Sequence, residues 1–199
     1  MDTNLVELMQ KFNSEDRCRE YVEALRWPSG VCCTRCGSLS VSRIVKRHQY
    51  DCNDCRYQFS PMAGTVFHDT HLPLTKWFLA TYLMCESKKG MSANQLKRTL
   101  GISYKTAWYL CHRIREAMKS DTSEKLKGIV EADETFVGGK YDRRRIGSCH
   151  KVSEKHLDRY LDEFTYRFNG REDDRLFQNT LRNLVNGETL TFEKLTQTA

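Results

Sequence analysis

Four cysteines stand in two pairs of identical spacing: Cys33-x2-Cys36 and, fifteen residues on, Cys52-x2-Cys55. A C-x2-C pair turns two thiolates toward one ion. Two such pairs close a tetrahedron of sulfur ligands that leaves no open position for chemistry, which is the ligand set of a structural zinc site. Cys32 competes with Cys33 for the first position, but the three residues between it and Cys36 suit a knuckle less well. Gly37, directly after the second thiol, supplies the permissive backbone that such a turn needs. The competing reading, a set of buried or redox thiols, requires two correctly spaced pairs to arise by coincidence. Cys18, Cys85, Cys111 and Cys149 have no partner at ligand spacing and read as ordinary buried thiols. His48, His68 and His71 are imidazoles beside a ligand set that is already full.

A second group of chemically capable residues lies in "GIVEADETFVGGK", residues 128–140. Val130, Ala132 and Thr135 alternate with Glu131 and Asp133, Phe136 and Val137 follow, and Gly138-Gly139 marks a turn. Acidic residues on a strand can begin a metal-dependent active site. By itself the pattern also fits an edge strand whose carboxylates are solvated.

The net charge of +6 is unevenly distributed. Residues 1–30 carry about −2, residues 31–64 about +3, residues 86–119 about +6 and residues 153–199 about −2. A localised excess of cations points to a polyanion, most simply nucleic acid; the bland alternative is a solvated helix surface. Within the basic segment, "MSANQLKRTLGISYKTAWYLCHRIREAM" contains two helix starts. Ser92 with Gln95 makes a capping box, and Ser103 caps the next helix. Leu96 and Leu100 mark the buried side of the first helix, Gly101 makes the turn and Ile102 plugs the junction. In the second helix Ala107, Leu110, Cys111, Ile114 and Met118 share a stripe, which leaves Lys105, Tyr109, His112 and Arg113 facing outward. The spacing therefore predicts a helix-turn-helix whose outward face enters a major groove of double-stranded DNA through those four residues. Capped helix pairs of this kind also occur in plain bundles.

These groups need elements to hold them. Residues 4–25 have helical periodicity, ended by Trp27, Pro28 and Gly30. Short β-like runs at 40–45, Tyr50, 57–60 and 65–67 suggest a small β module. The apolar stretch Leu74 to Cys85 reads as a buried helix, and a further helix is expected over 153–168. In that last helix Leu157, Tyr160, Leu161, Phe164 and Phe168 form the apolar stripe, while Asp158, Asp162 and Glu163 lie toward the polar side. Glu163 stands four residues from both Arg159 and Arg167, where ion pairs account for it. With 199 residues and 39% apolar content, the chain suggests small modules in series. No apolar run approaches the roughly 20 residues needed to span a bilayer. The first residues lack the basic and apolar regions of a secretory leader, so a cytoplasmic protein is expected. In that compartment nine cysteines argue for metal binding rather than disulfides.

The order of these parts resembles bacterial insertion-sequence transposases of the ISXO type, which join an N-terminal zinc ribbon to a DDE catalytic domain of RNase H-like fold. The resemblance rests on "RWPSGVCCTRCGS", "YDCNDCRYQFSPMAGTVFHDTHLPLTKWF", the helix-turn-helix, "VEADETFVGGK" and "HKVSEKHLDRYLDEFTYRFNGR", which together span nearly all of residues 1–185. It implies an α+β chain divided into an N-terminal helical segment (1–30), a zinc ribbon (31–72) and a helical, helix-turn-helix DNA-binding region (73–120). A truncated DDE domain, a β-hairpin plus C-terminal helices, would follow at 128–199. Cys33, Cys36, Cys52 and Cys55 would hold structural Zn²⁺. Arg35, Arg43, Lys46 and Arg47 of the ribbon would add phosphate contacts to transposon ends.

Asp133 matches the first member of the family's catalytic triad. DDE chemistry uses three carboxylates to hold two Mg²⁺ ions roughly 3.5–4 Å apart, one activating the attacking oxygen and one stabilising the leaving oxygen. The family places most of its sheet and the other two acids between the "GGK" turn and the "HKVSEKHL" helix. Here that interval is nine residues, Tyr141 to Cys149, too few for a sheet whose strands average about 5–6 residues each. A site rebuilt from Asp133 and Glu163 is the weaker alternative. The expectation is a transposase-like DNA-binding protein that retains zinc, does not productively bind the Mg²⁺ expected for the family, and occupies transposon ends alone, as a homo-oligomer or in mixed oligomers with an intact transposase. The alternatives are an active DDE transposase and a zinc-ribbon regulatory module.

Overall fold

Short polar side chains open the first helices. Asn4 and Ser14 accept hydrogen bonds from the backbone N–H groups of Glu7 and Arg17, which would otherwise be unpaired. They start α1 (Leu5–Lys11) and α2 (Glu15–Arg26). The computed structural model describes residues 4–87, 90–119 and 154–196. The expected hairpin at 128–140, with Glu131 and Asp133, lies outside these residues, as does Cys149.

After α2 the chain forms an open antiparallel sheet of β1 (Val41–Ile44), β2 (Gln49–Cys52) and β3 (Gln58–Phe59), in the order β1-β2-β3. Val41 pairs with Cys52 and Ile44 with Gln49, and the β1–β2 connection is a 3₁₀ turn over Val45–Arg47 closed by His48 in the left-handed region. Trp27, Tyr50 and Phe59 form a small separate core against Cys33 and Cys52.

The rest is helical: α3 (Leu74–Glu86), α4 (Ala93–Leu100), α5 (Tyr104–Ala117), α6 (Leu157–Asn169), α7 (Leu176–Asn186) and the short α8 (Phe192–Thr196). Pro73 offers α3 no capping side chain. Glu15 of α2 serves instead, its carboxylate accepting from the N–H groups of Leu74 (2.9 Å) and Thr75 (3.0 Å) at the positive end of the helix dipole. Ser92 and Ser103 cap α4 and α5, and Gly101 takes the left-handed conformation (φ +60°) between them, as the sequence leads one to expect.

α7 completes the helical core. Phe177, Leu181, Leu184 and Val185 are buried with Phe12 and Val22 from the N-terminal helices, Phe78 from α3 and Ile114 from α5. Phe12 meets Phe78 edge to face at 4.7 Å, and Phe78 meets Phe177 at 6.4 Å. Burying each such ring contributes about 1.5–3 kcal/mol relative to exposure. The two ends of the described chain thus share one core.

Two sequence expectations fail here for identifiable reasons. Residues 65–67 are a turn, not a strand. The Val66 N–H donates to Leu184 O at 3.1 Å, Thr189 Oγ1 donates to Thr65 O, and Phe67 is buried edge-on against Trp77. With those groups committed to α7, the chain after it and α3, no strand ladder can form. In α6 the expected stripe holds only in part: Leu157, Tyr160 and Phe168 are half-buried and Asp158 is exposed, but Leu161 and Phe164 are 52% and 45% exposed, while Glu163 is 2% exposed. Glu163 is turned inward by Arg115 of α5, whose Nε lies 2.6 Å from its carboxylate, and Arg167 approaches the other oxygen at 3.3 Å. Arg159 pairs with Glu116 instead. Arg115 also donates to Met91 O and lies 3.9 Å over the Tyr160 ring.

The Arg115–Glu163–Arg167 cluster is a buried ionic link between α5 and α6. Removing one member strands buried charge, at a cost of about 3–5 kcal/mol, whereas replacing partners together by apolar residues costs much less. Glu163→Leu is therefore expected to destabilise the helical core strongly. The double variant Glu163→Leu with Arg115→Met should recover a large part of the loss in denaturant unfolding followed by far-UV circular dichroism. Additive losses would contradict the coupling.

Candidate metal centre and basic surface

The two C-x2-C turns are built alike. Cys33 N–H donates to Ser38 O and Gly37 N–H to Cys33 O; in the second turn Cys52 N–H donates to Tyr57 O and Arg56 N–H to Cys52 O. Each turn needs a left-handed residue directly after its second cysteine. Gly37 (φ +74°) supplies it at no steric cost, and Arg56 (φ +57°) adopts it despite its Cβ. The second of these positions carries no glycine to announce it.

These turns bring Cys33, Cys36, Cys52 and Cys55 together with all four sulfur atoms within 4.8 Å of one another. The Cys33–Cys55 and Cys36–Cys52 separations are 3.6 and 3.5 Å. A tetrahedron with zinc–sulfur bonds of about 2.3 Å has edges of about 3.8 Å, so the donor set fits the ion. It is Cys33, not Cys32, whose sulfur joins the group, and no histidine joins it among the described residues. The electrostatics of the cluster favour a cation. Burial disfavours the Cys33 thiolate, but the N–H groups of Cys36 and Arg35 and hydrogen bonds from the neighbouring thiols outweigh it and bring its pKa down to about 6. The Ser38 N–H favours the Cys36 thiolate, yet its hydrogen bonds with Cys55 and Cys52 push Cys36 up to about 12. Four crowded thiols share their protons until a metal allows all to ionise. The site is a four-cysteine cluster placed to chelate structural Zn²⁺.

Around this hub the ribbon carries exposed cations. Arg35 lies beside the first turn, its guanidinium 5.8 Å from the Tyr57 ring centroid. Arg43 leaves β1 near Tyr50 and lies 3.9 Å from Glu23, while Lys46 and Arg47 project from the 3₁₀ turn at the hairpin tip. The ribbon is tied to the helical core by Tyr50 Oη donating to Glu23 at 2.9 Å and by Arg26 donating to the Pro61 and Ala63 carbonyls.

The outward face expected for α5 is largely not outward. His112 and Arg113 are 0% and 3% exposed. Arg113 donates to the carbonyls of Val66 and His68 and lies over Trp77, pinning the 65–68 turn. His112 is enclosed by Trp108, His156 and Tyr160, and neither ring nitrogen has a hydrogen-bond partner. Tyr109 is half-buried and donates to Leu190 O at 2.6 Å. Of the four residues Lys105 alone is exposed, with its ammonium 4.8 Å over Phe192. α6 and the chain around α8 cover this side of α5, a layer that the periodicity of α5 cannot announce. Cys18, Cys85 and Cys111 are buried thiols: burial pushes Cys18 and Cys85 up to about 12 and Cys111 up to about 11. Asp133 lies outside the described residues.

Comparison with known proteins agrees with this metal centre. Residues 13–58 match the family model described as the transposase zinc-ribbon domain. Over 132 residues the chain is 34% identical to an uncharacterized protein in transposable element ISH50 of Halobacterium salinarum, covering 65% of this chain and 44% of that protein. No solved structure matches. Residues 13–58 are therefore similar to transposase zinc-ribbon domains, within a chain that spans less than half the length of the relative. Among the described residues no helix is long and apolar enough to cross a membrane.

Two outcomes follow. Stripping zinc with a strong chelator should melt the ribbon, seen as loss of the protected amides of β1 and β2, while α3 and α7 stay folded on their own core; an unchanged ribbon would refute the structural role. The second concerns His112, whose pKa burial, helped by Arg115, His156 and Arg159, pushes down to about 3. It is neutral in the fold and charged in the acid-unfolded chain, so stability is full above about pH 6.5 and falls as pH drops toward 3, by at most about 1.4 kcal/mol per pH unit. His112→Gln should flatten that acid slope relative to the wild type in matched zinc-containing urea titrations. An unchanged slope would remove His112 as its source.

Proposed function

We propose that this chain is a zinc-ribbon DNA-binding protein of an insertion sequence, which recognises double-stranded transposon ends and is catalytically incomplete. The observation that carries the reading is the set of exposed cations on the ribbon, Arg35, Arg43, Lys46 and Arg47, held around a four-cysteine hub of the transposase zinc-ribbon kind. A hub clamped by one ion gives small modules a rigid surface, and arginines and lysines on it meet phosphates at fixed separations. The transposable-element relative points the same way. The α4–α5 pair serves in this reading as a helix-turn-helix that adds contacts.

Incompleteness rests on chain length. One aspartate, Asp133, cannot position two ions, and the nine residues from Tyr141 to Cys149 leave no room for the sheet that would present two more acids in the ISXO-type plan. Glu163 is no substitute, because Arg115 and Arg167 already hold its carboxylate. Such a protein would occupy ends without cutting them and could join an intact transposase in mixed oligomers.

Fluorescence anisotropy with end-containing duplexes should show affinity falling linearly with salt on a log–log plot. Combined Arg43→Ala, Lys46→Ala and Arg47→Ala should lower the slope by about 2–3 if each residue neutralises a phosphate. Salt-independent binding, or no binding, would favour a protein-interaction module. Mg²⁺-dependent nicking lost on Asp133→Ala would establish an active enzyme in its place.

A further inference from the structure

The burial of α5 leaves a different helix of the pair in contact with solvent. Leu96 and Leu100 seat α4 in the core at 0% and 7% exposure. At 100° per residue Arg98 stands roughly 160° from both, pointing directly away from the protein, with Asn94 and Gln95 about 40° and 60° to its sides. Lys97 and Thr99 flank this face, and Thr99 Oγ1 is turned back onto Gln95 O, leaving the amides and the guanidinium as its outward polar groups. Asn94, Gln95, Lys97 and Arg98 are all outside the buried core, as are Tyr104 and Lys105 in the adjoining first turn of α5. The chain has no carboxylate between Glu86 and Glu116. Lys97 and Arg98 have no acidic partner among the described residues.

We infer that α4, not α5, is the helix that reads base edges in the major groove of double-stranded DNA, with Arg98, Asn94 and Gln95 as specificity-determining residues and Lys97 and Lys105 as flanking phosphate contacts. The inference rests on the DNA-binding reading above and deepens it. Three physical points carry it. The residue types are those whose side chains match base edges bidentately: arginine to guanine, asparagine and glutamine to adenine. The occupant is selected by charge, since a face with cations and no carboxylate complements a polyanion. The dimensions agree, because an eight-residue helix is about 12 Å long and about 10–12 Å wide, and the major groove is about 12 Å across. In a helix-turn-helix the second helix ordinarily takes this role. Here the C-terminal half of that helix holds Arg113 against the Val66 and His68 carbonyls and His112 beneath His156, so neither can leave for DNA without opening the core.

The test begins with selection of a preferred sequence from a pool of random duplexes, each about two helical turns long, by the full, zinc-loaded chain. Wild type, Arg98→Ala, Arg98→Lys, Asn94→Ala and the ribbon variant Arg43→Ala/Lys46→Ala/Arg47→Ala are then compared on the selected duplex and on a scrambled one. The expected result is a loss of about tenfold or more for Arg98→Ala and Asn94→Ala on the selected duplex, with less than about threefold change on the scrambled one. Arg98→Lys should lose specificity despite keeping its charge, and the ribbon variant should weaken both duplexes alike. Equal losses on both duplexes for the α4 variants, no loss at all, or selection that converges on no sequence overturns the assignment of α4 as reader. Wild-type protein that binds no duplex overturns the DNA-binding reading together with it. Neither Asn94 nor Arg98 is buried, and unchanged thermal melting of the variants separates recognition from folding.

Discussion

Four sulfur atoms within 4.8 Å of one another carry the architecture of the N-terminal half. As thiolates they repel, and as thiols they make weak and competing hydrogen bonds, so the arrangement is favourable only around a divalent cation. The ribbon has little else. Its apolar core is Trp27, Tyr50 and Phe59 with two of the cysteines themselves, and its sheet ends in a two-residue strand. Once the ion holds the two turns, the hairpin between them is fixed at both ends, and its basic tip becomes a rigid projection. Without it, the roughly 30 residues from Val31 to Phe59 cannot bury enough surface to offset their chain entropy.

The helical half obeys a different constraint. α5 lies at its centre and is covered by α3, α4, α6, α7 and the chain around α8, so Arg113, Arg115 and Tyr109 find partners internally, whereas the ring nitrogens of His112 have none. Arg113 donates to backbone carbonyls of a turn, Arg115 shares a carboxylate with Arg167, and Tyr109 reaches Leu190 O. The positive charge assigned to residues 86–119 is thereby divided. Arg113 and Arg115 are structural, while Lys97, Arg98 and Lys105 remain on the surface. Charge counted along a sequence overstates the field available to a ligand wherever arginines are used as buried hydrogen-bond donors.

The apolar side of α6 shows the same competition from its other end. Leu161 and Phe164 face outward because the single carboxylate of Glu163 is drawn in by two guanidinium groups, and one helix cannot present both sides to the core. The short-range ion-pair rule anticipated Arg167 as a partner and missed Arg115, which is 48 residues away in the chain.

What was legible in the sequence was what is local. The two cysteine pairs specified the metal cluster, Ser14, Ser92 and Ser103 specified helix starts, Gly101 specified a turn, and the Leu96/Leu100 and Ala107/Leu110/Ile114 stripes specified buried sides. Each depends on backbone geometry within a few residues, which side-chain type and spacing encode directly. Tertiary structure alone decided that residues 65–67 close onto α7 instead of pairing as a strand, that α7 joins the N-terminal helices in one core, and that His112 and Arg113 are covered while Arg98 is not. Those outcomes turn on which face of an element meets another element far along the chain. Helical periodicity can mark one side as apolar, but it does not say whether a second layer will cover the side that remains.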